Sequence, residues 1–168
     1  MVLPLCGCTL IPTTVELTMS SMVSGAVAGA AKMSGVGKSY DHNHPRVTAK
    51  EICIDWNERV STPDFLTVVQ GELHRYNIAS HVYAPGSEPT ECEVTLYYSA
   101  QREWDQPMFG GDLTPYLAQA QLVLRKQGQI VARAEYDVNY SSFGKWASTQ
   151  AKLRPIVEEL IFGDGKPN

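Results

Sequence analysis

The sequence predicts an α/β (α+β) fold: a mixed, mostly antiparallel five-stranded sheet with two helices packed on one face, in the order β-α-β-β-β-β-α. Three observations carry that expectation. Composition shifts near residue 45, after which the apolar pattern becomes regular. Three later segments alternate apolar and polar residues with the period of two that a half-buried strand requires. Two others place their apolar residues on one helical face.

In chain order, Ala49 to Asp55 reads as a strand, central in the sheet because Ile52, Cys53 and Ile54 are apolar on both faces. Ser61-Thr62-Pro63-Asp64 is a helix start: a hydroxyl N-cap, a proline that needs no donor, and an aspartate at the positive dipole end. Phe65, Val69, Leu73 and Tyr76, helped by Val68, share a face of that helix, and Asn77 is its left-handed terminator. Ile78 to Tyr83 is the second strand, and Ala84 to Pro89 a loop. Cys92, Val94, Leu96 and Tyr98 then alternate with Glu93, Thr95, Tyr97 and Ser99; Ala118, Ala120, Leu122 and Leu124 with Gln119, Gln121 and Arg125; and Ile130, Ala132, Ala134, Tyr136 and Val138 with Arg133, Glu135 and Asp137.

The last two strands form a hairpin whose register the apolar sets constrain. A two-residue turn at Gln127-Gly128 would pair Leu124 with Val131, an inward residue opposite an outward one. A three-residue loop, Lys126-Gln127-Gly128, with Gly128 left-handed, pairs Leu124 with Ile130, Leu122 with Ala132 and Gln121 with Arg133, and is the expected arrangement. Leu153, Ile156, Val157, Leu160 and Ile161 stripe a closing helix from about Ala147 to Phe162, kinked at Pro155 and stopped by Gly163.

The chain has 168 residues and a mass of 18.5 kDa, with 43% hydrophobic and 19% charged residues, which suits one packed domain with a tail. Net charge is −4 and the pI is near 5.5, with no basic run, so a nucleic-acid partner is not expected. Composition divides the chain near residue 45 into a flexible tail and a globular domain, 46–168; the likeness of Leu5-Cys6-Gly7-Cys8 to a bacterial lipobox implies that 1–7 is the remnant of a truncated signal peptide and 8–45 a lipidated tether. The tether is rich in Thr, Ser, Gly and Ala and lacks the bulky apolar groups that offset ordering entropy, so it should span about 30–35 Å as a coil. Gly25 and Gly29 make a GxxxG, but no apolar 20-mer surrounds it, and a linker is the simpler reading.

Leu5-Cys6-Gly7-Cys8 resembles the lipobox of bacterial envelope lipoproteins. The resemblance implies a diacylglycerol thioether on Cys8, a small residue before it for peptidase access, and a leucine three positions upstream in an apolar subsite. Met1 to Gly7 hold no basic residue and too short an apolar stretch for a complete signal, so the resemblance implies a start further upstream. Two or more acyl chains make a stable bilayer anchor. In that family the absence of aspartate after the cysteine, here Thr9, favours the outer membrane. The predicted domain is topologically similar to the activator lipoprotein of penicillin-binding proteins, to the N-terminal domain of TolB and to the periplasmic part of the curli secretion lipoprotein.

With Cys6 and Cys8 in the leader and anchor, Cys53 and Cys92 remain. They would bridge in an oxidising compartment or sit as buried free thiols; sequence does not supply the Cα separation that decides. Candidate chemistry is sparse. His42-Asn43-His44 offers two imidazoles on a loop, too few for a specific metal site, and neither G-x-S-x-G nor H-E-x-x-H occurs. No catalytic residue, metal or cofactor is expected. The stretch Gln101–Pro115 gathers Trp104, Met108 and Phe109 with Pro107 and two glycines, either as an interface anchor or as a cap on one end of the core. The outer sheet face, with Tyr97 and Arg133, is a second candidate surface. The expected function is a non-enzymatic, lipid-anchored periplasmic domain that binds another envelope protein or itself. The alternatives are a small-ligand or enzyme module at the 101–115 loop, and a cytosolic protein with a fortuitous Leu-Cys-Gly-Cys.

Overall fold

The computed structural model describes residues 44–87, 89, 91–138 and 143–163. Cys8, the remaining tether glycines and His42 lie outside the described residues. The elements are β1 (Glu51–Asp55), α1 (Phe65–Arg75), β2 (Ala79–Tyr83), β3 (Val94–Asp105), β4 (Thr114–Lys126), β5 (Gln129–Asp137), a 3-10 turn (Phe143–Trp146) and α2 (Thr149–Phe162). One five-stranded sheet runs β2-β1-β3-β4-β5; β1 is parallel to both neighbours, and β3-β4-β5 is an antiparallel meander. The predicted α/β class and element order therefore stand.

Both helices pack on one face. Phe65, Val69 and Leu73 of α1 and Leu153, Ile156, Val157, Leu160 and Ile161 of α2 bury against Ile52, Ile54, Leu96, Leu122 and Leu124. Ala132 and Ala134 give β5 a low surface on which α2 rests. Between the helices lies a group that the sequence did not advertise, the buried carboxylate of Glu72. It accepts from Gln150 Nε2 at 2.8 Å and faces Arg75 Nη1 at 2.9 Å and Arg154 Nε at 3.5 Å, which compensates its desolvation.

The start of α1 differs from expectation. Its N-cap is Asp64, whose side chain makes no cap bond and instead accepts from Thr149 Oγ1 at 3.0 Å, joining the two helix starts. The Thr62 hydroxyl, expected as part of the cap, is buried without a partner. Asn77 does end the helical segment at φ 59. At α2, Ser148 caps the helix by accepting from Ala151 N at 3.2 Å, so the helix starts at Thr149, two residues after the expected beginning at Ala147, and Pro155 lies inside.

The β4–β5 hairpin corrects the sequence reading. Its turn is the two-residue Gln127-Gly128, with φ 51 and 79, because that twist matches paired strands. Lys126 pairs with Gln129 and Arg125 with Ile130, and a bulge then absorbs Val131, so that Leu124 meets Ala132 and Leu122 meets Ala134. The inward sets still coincide, but two residues further along β5, and Ile130 is exposed rather than inward.

His44, read as part of a solvated loop, is buried. Its ring Nδ1 lies 3.0 Å from Pro45 O, Val47 N donates to Ile161 O at 2.8 Å, and the Arg46 guanidinium stands 4.8 Å over the Phe162 ring. Gly163 permits this closure: a Cβ there would fall 2.3 Å from His44 O, and its φ is +51.

Parallel β2 and β3 flank β1, so residues 84–93 must return from the far end of one to the near end of the other. Such crossovers usually contain a helix. This one has none. Cys53, on the face of β1 opposite Ile52 and Ile54, is disulfide-bonded to Cys92 of the crossover, with Cα atoms 6.1 Å apart. Cys92, expected in the inward set with Val94, precedes the strand and reaches the opposite face. The strand alternation does not yet bind it.

Candidate functional site: a projecting beta arm

The most distinctive surface is built by β3 and β4. Ile54 pairs with Leu96, which places the end of β1, Asp55, level with Tyr97; β3 then continues to Asp105, about 26 Å further at roughly 3.3 Å per residue. On the other side, β5 ends with Asp137 opposite Gln119. Four pairs, Arg102 with Leu117 to Asp105 with Thr114, therefore form a two-stranded arm beyond the sheet. A bulge marks its root: Gln101 pairs with Gln119 and Arg102 with Leu117, leaving Ala118 as the extra residue.

The arm carries the apolar residues singled out from the sequence. Phe109 is 98% exposed, Met108 85%, Leu113 67% and Trp104 57%. The possibility that they cap the core is thereby excluded. The loop expected over Gln101–Pro115 is shorter than that, since strand pairing continues to Asp105 and resumes at Thr114. Gly110 and Gly111, at φ +85 and +124, let the chain reverse between Phe109 and Leu113. Leu113 was not named from sequence. Its neighbours Gly110, Gly111 and Asp112 gave no strand or helix pattern that would have assigned it a face.

The inner side of the arm meets the 3-10 turn. Lys145 Nζ pairs with Asp105 Oδ2 and lies 4.4 Å over the Tyr116 ring, whose hydroxyl donates to Glu103 Oε2 at 2.7 Å. The hydrogen bond from Lys145 holds Asp105 below the usual carboxylate range, and the same bond raises Lys145. Asp105 is thus engaged as an ion-pair partner of Lys145. Trp146 meets the Tyr116 ring edge-on at 5.5 Å.

Beneath lies Lys152 of α2, buried, with Nζ donating to Leu117 O at 2.9 Å and Lys145 O at 2.6 Å. Burial pushes it down to about 8, with Lys145 adding repulsion. Burial likewise pushes the neighbouring Tyr136 up to about 12. No sequence signal separates this lysine from a solvated helix residue; only its partners on other elements do.

The second candidate surface divides. Tyr97 lies beneath the Arg125 guanidinium at 4.8 Å, whereas Arg133 is opposite Val123 in the ladder. Around them the outer face is a lattice of side-chain bonds, Gln119 to Asp137 at 3.2 Å and Gln121 to Glu135. These polar groups already satisfy one another, which makes this face a poorer docking surface than the arm. A cleft of about 220 Å³ at the end of β1 is lined by Asp55, Trp56, Pro85 and Tyr97. Among the described residues no group of three or more His, Cys, Asp or Glu could hold a metal ion, and no helix is long and apolar enough to cross a membrane.

Fold and site together define a small α/β domain, helices on one sheet face, with a projecting arm tipped by apolar residues. The same fold occurs in PelC from Paraburkholderia phytofirmans. A single-substitution PelC dodecamer superimposes with a TM-score of 0.52 at 15% identity, covering 76% of this chain and 99% of PelC, and a second PelC dodecamer gives 0.51 at 12%, covering 75% and 96%. A minor lipoprotein from Acinetobacter baumannii, at a TM-score of 0.31 and 14% identity over 70% of this chain and 87% of its own, is too distant to carry an argument. No protein-family model matches the chain, and no curated protein does.

Proposed function

We propose that this chain is a non-enzymatic accessory domain of the bacterial cell envelope, held on the periplasmic side of the outer membrane by acylated Cys8, and that its β3–β4 arm docks another envelope protein or a second copy of itself. The observation that carries the docking reading is the exposure of Trp104, Met108, Phe109 and Leu113 together on one projecting element. A convex tip of this kind encloses no substrate, which favours a macromolecular partner over the small-ligand reading. The Cys53–Cys92 bridge supports an oxidising compartment. Both PelC neighbours are dodecamers, which favours self-association as the form docking takes.

Trp104→Ala combined with Phe109→Ala is expected to weaken association at least tenfold while leaving the unfolding free energy within about 0.5 kcal/mol of wild type, since exposed residues contribute little to folding. Sedimentation velocity over a concentration series, with in-cell photocrosslinking from Met108, measures this. A monomer at every concentration with no crosslinked partner ends the docking reading. The anchor is tested separately. In a bacterial host with the native upstream codons, intact-mass measurement should show Cys8 as the N-terminal residue carrying acyl chains. An unacylated, uncleaved product removes the anchor and leaves the arm untouched.

A further inference from the structure

We propose that the β3–β4 arm is a hinged element, pivoting at the bulge between Gln101 and Arg102 and held in its observed pose by a latch on the 3-10 turn, with Lys145 as the positioning residue. Four observations meet here. Past Ala118, whose carbonyl accepts from Val138 N at 2.8 Å, the arm has no further strand neighbour among the described residues. A two-stranded ribbon is only marginally stable in water; Leu117, buried in the core, seats the root, and the part beyond it, Glu103–Asp105 with Thr114–Tyr116, needs a further tie.

The bulge supplies the pivot, since Ala118 is left out of the ladder where the arm departs. The latch reaches across from the turn: Lys145 Nζ to Asp105 near the tip and over Tyr116 in the middle, with Trp146 closing against Tyr116. The turn is itself fixed to the body, because Lys152 Nζ binds Lys145 O on the turn and Leu117 O at the arm's root. Two lysines thus link α2, the turn and the arm in series.

Held this way, the tip presents Trp104, Met108 and Phe109 without the ordering cost that a loose arm would incur on docking. That consequence rests on the docking reading above. The latch does not, and its test needs no partner. Because the Lys145–Asp105 pair is at the surface, salt should loosen it.

Amide hydrogen exchange on the full-length chain, resolved over Arg102–Asp105 and Thr114–Leu117, reads the latch directly. Lys145→Met is expected to speed exchange there at least tenfold while amides of Leu122 and Leu124 keep their wild-type rates, and Asp105→Asn should do the same. The charge-reversed pair, Lys145→Asp with Asp105→Lys, should return most of the protection, which a mere loss of packing would not allow. Wild-type exchange in the arm of both single variants overturns the proposal, as does equal acceleration across arm and body in Asp105→Asn. If the arm loosens while wild type neither self-associates nor crosslinks a partner from Met108, the latch stands and the docking reading falls.

Discussion

Replacing Cys53 and Cys92 together with alanine should lower the stability of the folded body by about 4 kcal/mol, the value that chain-entropy arithmetic assigns to a loop of this size. The two cysteines are 39 residues apart, and the segment between them contains α1, β2 and most of the crossover. Without the bridge the unfolded ensemble regains the freedom of that loop, and the folded state loses the tie that holds the crossover over β1. Folded domains of this size have only about 5–15 kcal/mol in total, so the loss should be plain in urea unfolding. Wild type treated with a dithiol should move in the same direction as the double variant. An unfolding free energy for the variant within about 1 kcal/mol of oxidised wild type would show that the crossover is held by other contacts.

The second large effect is a pH dependence centred on Lys152. The group titrates at about 8 in the fold against an ordinary 10.5, so between those values the folded chain binds fewer protons than the unfolded one. Stability therefore rises with pH across that window, by up to about 3 kcal/mol at 1.36 kcal/mol per unit. Tyr136 acts in the opposite sense. It is raised from 10.0 to about 12, so the folded chain binds more protons over that range and stability falls as pH climbs through it. The groups facing Lys152 are Tyr116 from β4, Tyr136 from β5 and Lys145 from the turn. A neutral amine still has two N–H donors for Leu117 O and Lys145 O, so the geometry survives deprotonation. The urea midpoint should climb from about pH 7.5 to near 10 and then decline. Lys152→Met should flatten the rising limb and leave the fall above pH 10. A rising limb unchanged in that variant would assign it to some other group.

The elements that the sequence disclosed are those with a buried face. Val94, Leu96 and Tyr98 announced β3, and Leu153, Ile156, Val157 and Leu160 announced α2, because a face in contact with a core must be apolar at the period of its element. The outer half of β3 shows the converse. Arg102, Glu103, Trp104 and Asp105 are a strand with neither face buried in a core, so no alternation marked them and they read as loop. Trp104, Met108 and Phe109 were still recognisable as a cluster, since three large apolar groups amid Pro and Gly stand out whatever their conformation. Their exposure was not recognisable, because an apolar side chain carries the same letter under a core as on a projecting tip.

Charged and register-dependent features were illegible for a related reason. Glu72 and Lys152 are tolerated inside only because Gln150, Arg154, Leu117 O and Lys145 O arrive from other parts of the chain. At the β4–β5 hairpin the turn chemistry and the apolar sets made demands that unbroken pairing could not meet together, and the bulge at Val131 satisfied both. The sequence by itself determined the α/β class, the order of elements and the inward sets, because burial of apolar surface acts residue by residue along the chain. Only the tertiary structure decided where β3 and β4 outrun their neighbours, how Cys92 meets Cys53 and which charges lie inside. Each of those depends on which groups distant in sequence are brought into contact, and no local pattern encodes that.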